Sequence, residues 1–206
     1  MISMYDNTLI YLFIGALVCT VGAVPFGLVN LSVVNVAVTS NIRKSMSIAF
    51  GAAIIEIVFA LAALFAGTLL QNVLNGSVWI KIIISGVLFS AGVFFWFRKS
   101  GEVSQKTNRN SNGFLKGALL NFISIQVLLF WIVAVTFLSV RNIIPTSFVQ
   151  VFLFIIGVWI AKMTVLRVYA ILAKKVIEKS QMLSQNINRI MGVMLIIIAF
   201  IQLLKF

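Results

Sequence analysis

Residues 48–70 read IAFGAAIIEIVFALAALFAGTLL, an apolar run interrupted by a single carboxylate, Glu56. A bilayer's hydrocarbon core is about 30 Å thick and needs roughly 20 apolar residues in a helix to cross it. Working outward, the stretches 8–38, 78–97, 114–138, 148–172 and 187–206 meet or nearly meet the same test. The bulk composition agrees: 62% of the 206 residues are hydrophobic and only 10% are charged, with a mean hydropathy of +1.14. A soluble domain is typically about half apolar and a quarter charged, so lipid is the solvent for most of this chain. The expected fold is an all-α integral membrane protein with six transmembrane helices.

The net charge of +12 is not spread evenly. Arg43 and Lys44 fall in the first gap between apolar runs. Arg98, Lys99, Lys106, Arg109 and Lys116 fall in the third, and Lys174, Lys175, Lys179 and Arg189 in the fifth. The remaining gaps and the C-terminus hold only Lys81, Arg141 and Lys205. Basic loops stay on the cytoplasmic side, which puts the odd loops inside and both termini outside. This pattern accounts for the charge without nucleic acid as a partner. The first run carries Asp6 as its only early charge and no basic leader, so it reads as a retained helix and not a signal peptide.

The two halves align with each other. Gly86 and Val87 of the third run fall on Gly192 and Val193 of the sixth, and Lys99 on Lys205. At the same offset Gly51 falls on Gly157, and Glu56 on Lys162. Gly15 and Gly117 relate the first and fourth runs after a small shift. Three helices per half means that the halves enter the membrane from opposite sides, an inverted repeat of the kind found in transporters. One membrane domain is expected over residues 1–206. Its first repeat spans 1–99, a polar cytoplasmic linker 100–113, and its second repeat 114–206.

Two charges lie deep in apolar runs. Glu56 is expected ~12 Å and Lys162 ~15 Å from the cytoplasmic end of its helix, at 1.5 Å per residue. Either one alone costs about 3 kcal/mol or more near the bilayer centre. Glu56 shares a helical stripe with Ala49, Ala53, Ala60, Ala63 and Gly67, and small residues at that spacing mark a packed face. Two readings of the pair stand side by side. Glu56 and Lys162 couple or gate transport, through a proton on Glu56 or a substrate amine bound to it, or they form a structural ion pair across the pseudo-twofold axis. Arg167 is close enough to its helix end to reach the interface.

The stretch VPFGLVN, residues 24–30, breaks the first run. Proline removes a backbone donor, and glycine allows an unwound turn. Irregular backbone at membrane depth survives only where it packs on protein or lines a cavity. Pro25, Gly27 and Asn30 are therefore candidate substrate-binding residues, with a half-helix N-terminus to receive a carboxylate. The equivalent part of the fourth run, NFISIQVLLFW at 121–131, supplies Asn121, Ser124 and Gln126. Trp131 and Trp159 are expected to line the same cavity, while Trp79 and Trp96 suit the membrane interface. Cys19 reads as a small packing residue.

Catalytic chemistry finds little to work with. There is no histidine, which removes Ser/His triads. Glu56 has no second carboxylate at its depth for acid–base work. No catalytic residue, metal site or cofactor is expected.

The motifs in these positions resemble the LysE/RhtB family of bacterial amino-acid exporters. That family's first helix carries Pro-Gly-Pro followed by Asn; here Pro25, Gly27 and Asn30 stand in that place, without the second proline. The glycine and acidic residue of its second helix match Gly51 and Glu56. The first Asn of its Asn-x-x-Asn-Pro element matches Asn121, with Ser124 and Ile125 replacing the Asn-Pro pair. Asn188, Arg189 and Gly192 fit its sixth-helix pattern. The resemblance implies a transporter in the bacterial cytoplasmic (inner) membrane that exports amino acids or similar small metabolites, powered by a proton or ion gradient. Its two halves would rock about a central site. Its partners would be a small-molecule substrate and the lipid bilayer, with a homo-oligomer left open. The alternatives are an exporter of another solute such as a metal ion, and a membrane scaffold or regulatory subunit that transports nothing.

Overall fold

The computed structural model describes residues 8–25, 27–74 and 112–175, with isolated positions elsewhere. Most of the third and sixth apolar runs and of the 100–113 linker lies outside the described residues. So does at least one member of each glycine, valine and lysine pair that aligns those two runs. The described part is all helix: α1 (Ile10–Ala23), α2 (Leu28–Thr39), α3 (Ile42–Leu74), α4 (Gly113–Phe122), α5 (Ile125–Val140) and α6 (Phe148–Ile171).

Two of these helices are long and apolar enough to cross a membrane unaided, α3 over Ile42–Gly67 and α6 over Phe148–Ile171. The others form bent pairs. α1 and α2 meet at 78°, α4 and α5 at 60°, and each pair passes the same test only when taken as one broken span. The first break falls where Pro25 and Gly27 predict it. The second corrects the sequence reading, which takes 114–138 as one uninterrupted run. No proline or glycine marks that break: the chain leaves the helix at Ile123–Ser124, where the Ser124 amide bonds the Asn121 carbonyl at 3.1 Å.

The helix ends have local causes. Arg43 and Lys44, read as loop residues, belong to the first turn of α3, because the Asn41 side chain accepts from the Lys44 amide at 2.8 Å and starts the helix there. Asn142 ends α5 in the left-handed conformation (φ 56°). The amides of Asn142 and Ile143 then bond back to the carbonyls of Ser139 and Leu138, each at 3.0 Å. Ser147 and Gln150 close a reciprocal capping box at the start of α6.

Packing runs across the two halves of the sequence. α1 lies along α6 at a crossing where a methyl group on Gly15 would collide with the Phe154 carbonyl, and one on Gly157 with the Leu12 carbonyl. α3 lies along α4 at a second crossing built the same way: Gly51 sits on the Phe114 carbonyl and Gly117 on that of Ile48. In both crossings each glycine rests on the carbonyl three residues before its partner glycine. These are the glycines that the alignment of the halves pairs as Gly15 with Gly117 and Gly51 with Gly157. Helices approach this closely only through residues that lack a side chain.

The small-residue stripe of α3 faces inward as expected. Ala49, Ala53, Glu56, Ala60 and Ala63 are all buried, while Phe50, Ile54, Val58 and Phe65 are exposed on the other side. Two apolar clusters flank Glu56 and Lys162 along the helices. One gathers Phe59, Ala60 and Leu64 of α3 with Phe154 and Val158 of α6. The other gathers Ile48, Ala49 and Ala52 of α3 with Leu166 and Ala170 of α6.

Replacing Gly51 by valine drives a side chain into the α4 backbone, which cannot yield as a side chain would. Overpacking typically costs about 1–3 kcal/mol, and a backbone obstacle belongs at the upper end. Gly51→Val is expected to lower the unfolding temperature of the detergent-solubilised protein and its accumulation in membranes. Wild-type stability in that variant would show that the two helices do not cross this closely.

Candidate functional site

Glu56 is placed by α3 at the centre of the bundle, with 1% of its surface exposed. Both carboxylate oxygens are occupied. Oε2 takes the Lys162 Nζ ammonium at 2.8 Å and the Asn121 Nδ2 amide at 3.0 Å. Oε1 takes the Trp131 indole Nε1–H at 2.9 Å. The sequence predicts equal depth for Glu56 and Lys162; the fold puts them in direct contact, α3 to α6. A buried charge is tolerated when it is paired and its remaining lone pairs are hydrogen-bonded.

Asn121 owes its reach to the α3–α4 crossing. It stands one turn after Gly117, so the close approach at Gly51 brings its amide against α3. There Nδ2 also donates to the Ala52 carbonyl at 2.8 Å. Because both of its partners are acceptors, the orientation of the amide is fixed. Its Oδ1 is buried and has no hydrogen-bond partner among the described residues.

The first break is held by side chains. Asn30 donates from Nδ2 to the Ala23 carbonyl at 2.9 Å and to the Pro25 carbonyl at 2.8 Å. The Tyr169 hydroxyl of α6 donates to the Val24 carbonyl. Three carbonyls freed by the unwinding thus find donors. Both Asn30 amide hydrogens serve the backbone of the break, a use the sequence reading did not assign to them. Tyr169 was missed altogether, since nothing local in the sequence ties α6 to residue 24.

A cavity of about 40 Å³ opens between the two breaks. Eight of the residues singled out in the sequence line it: Pro25, Gly27, Asn30, Glu56, Asn121, Ser124, Gln126 and Lys162. The first turns of α2 and α5 reach it through Leu28, Val29 and Val127, and neither helix start carries a side-chain cap. The positive ends of the two helix dipoles therefore face this space. The volume suits a few water molecules and is far below the roughly 300–1,000 Å³ of a pocket that encloses a ligand.

The tryptophan expectations are corrected. Trp131 does not line the cavity. It is fully buried behind the carboxylate and packs edge-on against Phe130 and Phe154, with its polar tip turned to Glu56. Trp159 is 38% exposed and meets Phe50 edge-on, outside the residues that line the cavity. Cys19 is buried in the apolar cluster with Trp131 and Phe154, as a packing residue should be.

Bent helix pairs around a buried, charge-paired polar centre in an apolar helical bundle fit a multi-pass membrane protein, and broken helices of this kind occur in transporters. The chain belongs to the LysE type translocator family, whose pattern matches residues 20–205. That family moves small molecules across a membrane. Neither a curated protein nor a solved structure matches the chain.

Removing one partner of a buried ion pair leaves the other charge stranded, at a typical cost of about 3–5 kcal/mol. Lys162→Met is expected to destabilise the protein by that order in denaturant titrations in detergent. Adding Glu56→Gln should recover much of the loss, because no uncompensated charge remains. Equal destabilisation in the single and double variants would mean that the two side chains are not energetically coupled.

Proposed function

We propose that this protein exports amino acids or similar small metabolites by alternating access, driven by a proton or ion gradient. The observation that carries this reading is the Glu56–Lys162 bridge, buried beside a cavity that two broken helices enclose. Pro25, Gly27 and Asn30 shape one wall of the substrate site, and Asn121, Ser124 and Gln126 the other. Substrate carboxylate oxygens meet the amides that begin α2 and α5, in the way half-helix N-termini serve other transporters.

The moving bodies differ from the two sequence halves. The glycine crossings tie α1 to α6 and α3 to α4, so each rigid pair draws one helix from either half. Glu56 and Asn121 ride on the α3–α4 pair and Lys162 on the α1–α6 pair. The bridge is the polar link between the bodies, and the apolar clusters on either side of it are the gates. A proton taken up by Glu56 removes the charge that holds Lys162 and frees the pairs to move. The small cavity fits a state with both gates shut. In this reading the protein sits in a bacterial cytoplasmic membrane, with both termini outside and the basic loops in the cytoplasm.

The test is efflux of labelled amino acids from cells loaded with dipeptides. Expression of the protein should speed the loss of one or more amino acids. Glu56→Gln, which keeps the shape and the acceptor oxygen but not the charge, should abolish that gain at equal membrane protein level. Unchanged export in this variant would remove Glu56 from coupling. No efflux of any amino acid would remove the amino-acid reading.

A further inference from the structure

The electrostatics of the cavity point to a limit on its cargo, and this inference rests on the transporter reading above. Among the described residues Glu56 is the sole full negative charge on the wall, and each of its oxygens already accepts from a protein donor: Trp131 on one, Lys162 and Asn121 on the other. Lys162 cancels its charge. An ammonium has three N–H donors, and the Lys162 Nζ that carries them lies 2.8 Å from Oε2. To this neutral pair the uncapped starts of α2 and α5 add partial positive charge. A cation entering here meets a carboxylate that is already satisfied, with a lysine beside it. A carboxylate entering here meets the Lys162 ammonium and two helix starts.

The second polar requirement comes from Asn121. Its Oδ1 is a buried acceptor with no hydrogen-bond partner among the described residues, on a side chain with 0% exposure that lines the same space. An acceptor held in that state gains from one N–H donor on a ligand. One ammonium or amine next to one carboxylate fits this pattern; a second positive charge does not.

We propose that Lys162 is the charge-selecting residue of the cavity. It restricts the cargo to carboxylate-bearing solutes without net positive charge, and it excludes diamino acids and metal ions.

The test uses the purified full chain in proteoliposomes and measures exchange of three probes: a labelled mixture of neutral amino acids, a mixture of lysine and arginine, and Cd²⁺. The wild type should exchange the neutral mixture faster than either cationic probe by on the order of tenfold or more. Lys162→Met should shift the ratio of basic to neutral exchange upward by about the same factor, whatever happens to the absolute rate. Lys162→Arg, which keeps the charge, should hold the wild-type ratio. Basic amino acids or Cd²⁺ exchanged by the wild type as fast as neutral amino acids would overturn the inference while leaving a transporter in place. So would an unchanged ratio in Lys162→Met. If that variant does not fold, the wild-type ratio decides alone. Exchange of none of the probes would instead fell the reading on which the inference rests, and the inference with it.

Discussion

A carboxylate shut away from water has to be satisfied by the protein itself, and the described structure is arranged around that requirement at Glu56. Its partners arrive from three other helices: Lys162 from α6, Asn121 from α4 and Trp131 from α5. Each partner is held in turn by its surroundings. Trp131 is wedged among aromatic rings, and Asn121 is pinned to the α3 backbone. A network of this kind is costly to leave half made, so it sets the register of four helices against one another as well as the chemistry of the site.

The glycine crossings make that network possible. Without them α3 and α4 would stand further apart and the short Asn121 side chain would not span the gap. The equivalent crossing of α1 with α6 puts Lys162 at the matching height on the other side. Between the crossings, each of the paired spans is broken, and the breaks meet at the cavity. Backbone satisfaction explains why the first break persists: Asn30 and Tyr169 supply the donors that its carbonyls lack. The second break has no such helix-breaking residue. It places Ser124 and Gln126 on the cavity wall, polar groups that an uninterrupted apolar span would have to bury elsewhere.

Family membership and physical reading support each other without overlapping. The match over residues 20–205 assigns the chain to membrane translocators, but it does not say why Glu56 tolerates burial or what Lys162 does. Those answers come from the geometry: a charge pair that joins two helix pairs, apolar clusters above and below it, and two helix starts turned toward one small space.

The sequence alone determined the solvent of the chain, because apolar runs and the scarcity of charge are properties of composition. It also located the break at Pro25 and Gly27, since proline's missing donor acts locally, and it marked the inward face of α3 through its small-residue spacing. The two deep charges and the polar residues of the fourth run stood out for the same reason: each is expensive where it lies. What only the tertiary structure decided are the facts that depend on residues far apart in the chain. The contact of Glu56 with Lys162, the indole hydrogen bond from Trp131, the Tyr169 support of the first break and the outward turn of Trp159 are all of this kind. So is the break at Ser124, where no residue forbids a helix and the demands of burial act through the neighbouring helices. The pairing of α1 with α6 and of α3 with α4 belongs here too: the glycines stand out in the sequence, but only packing could show which of them touch.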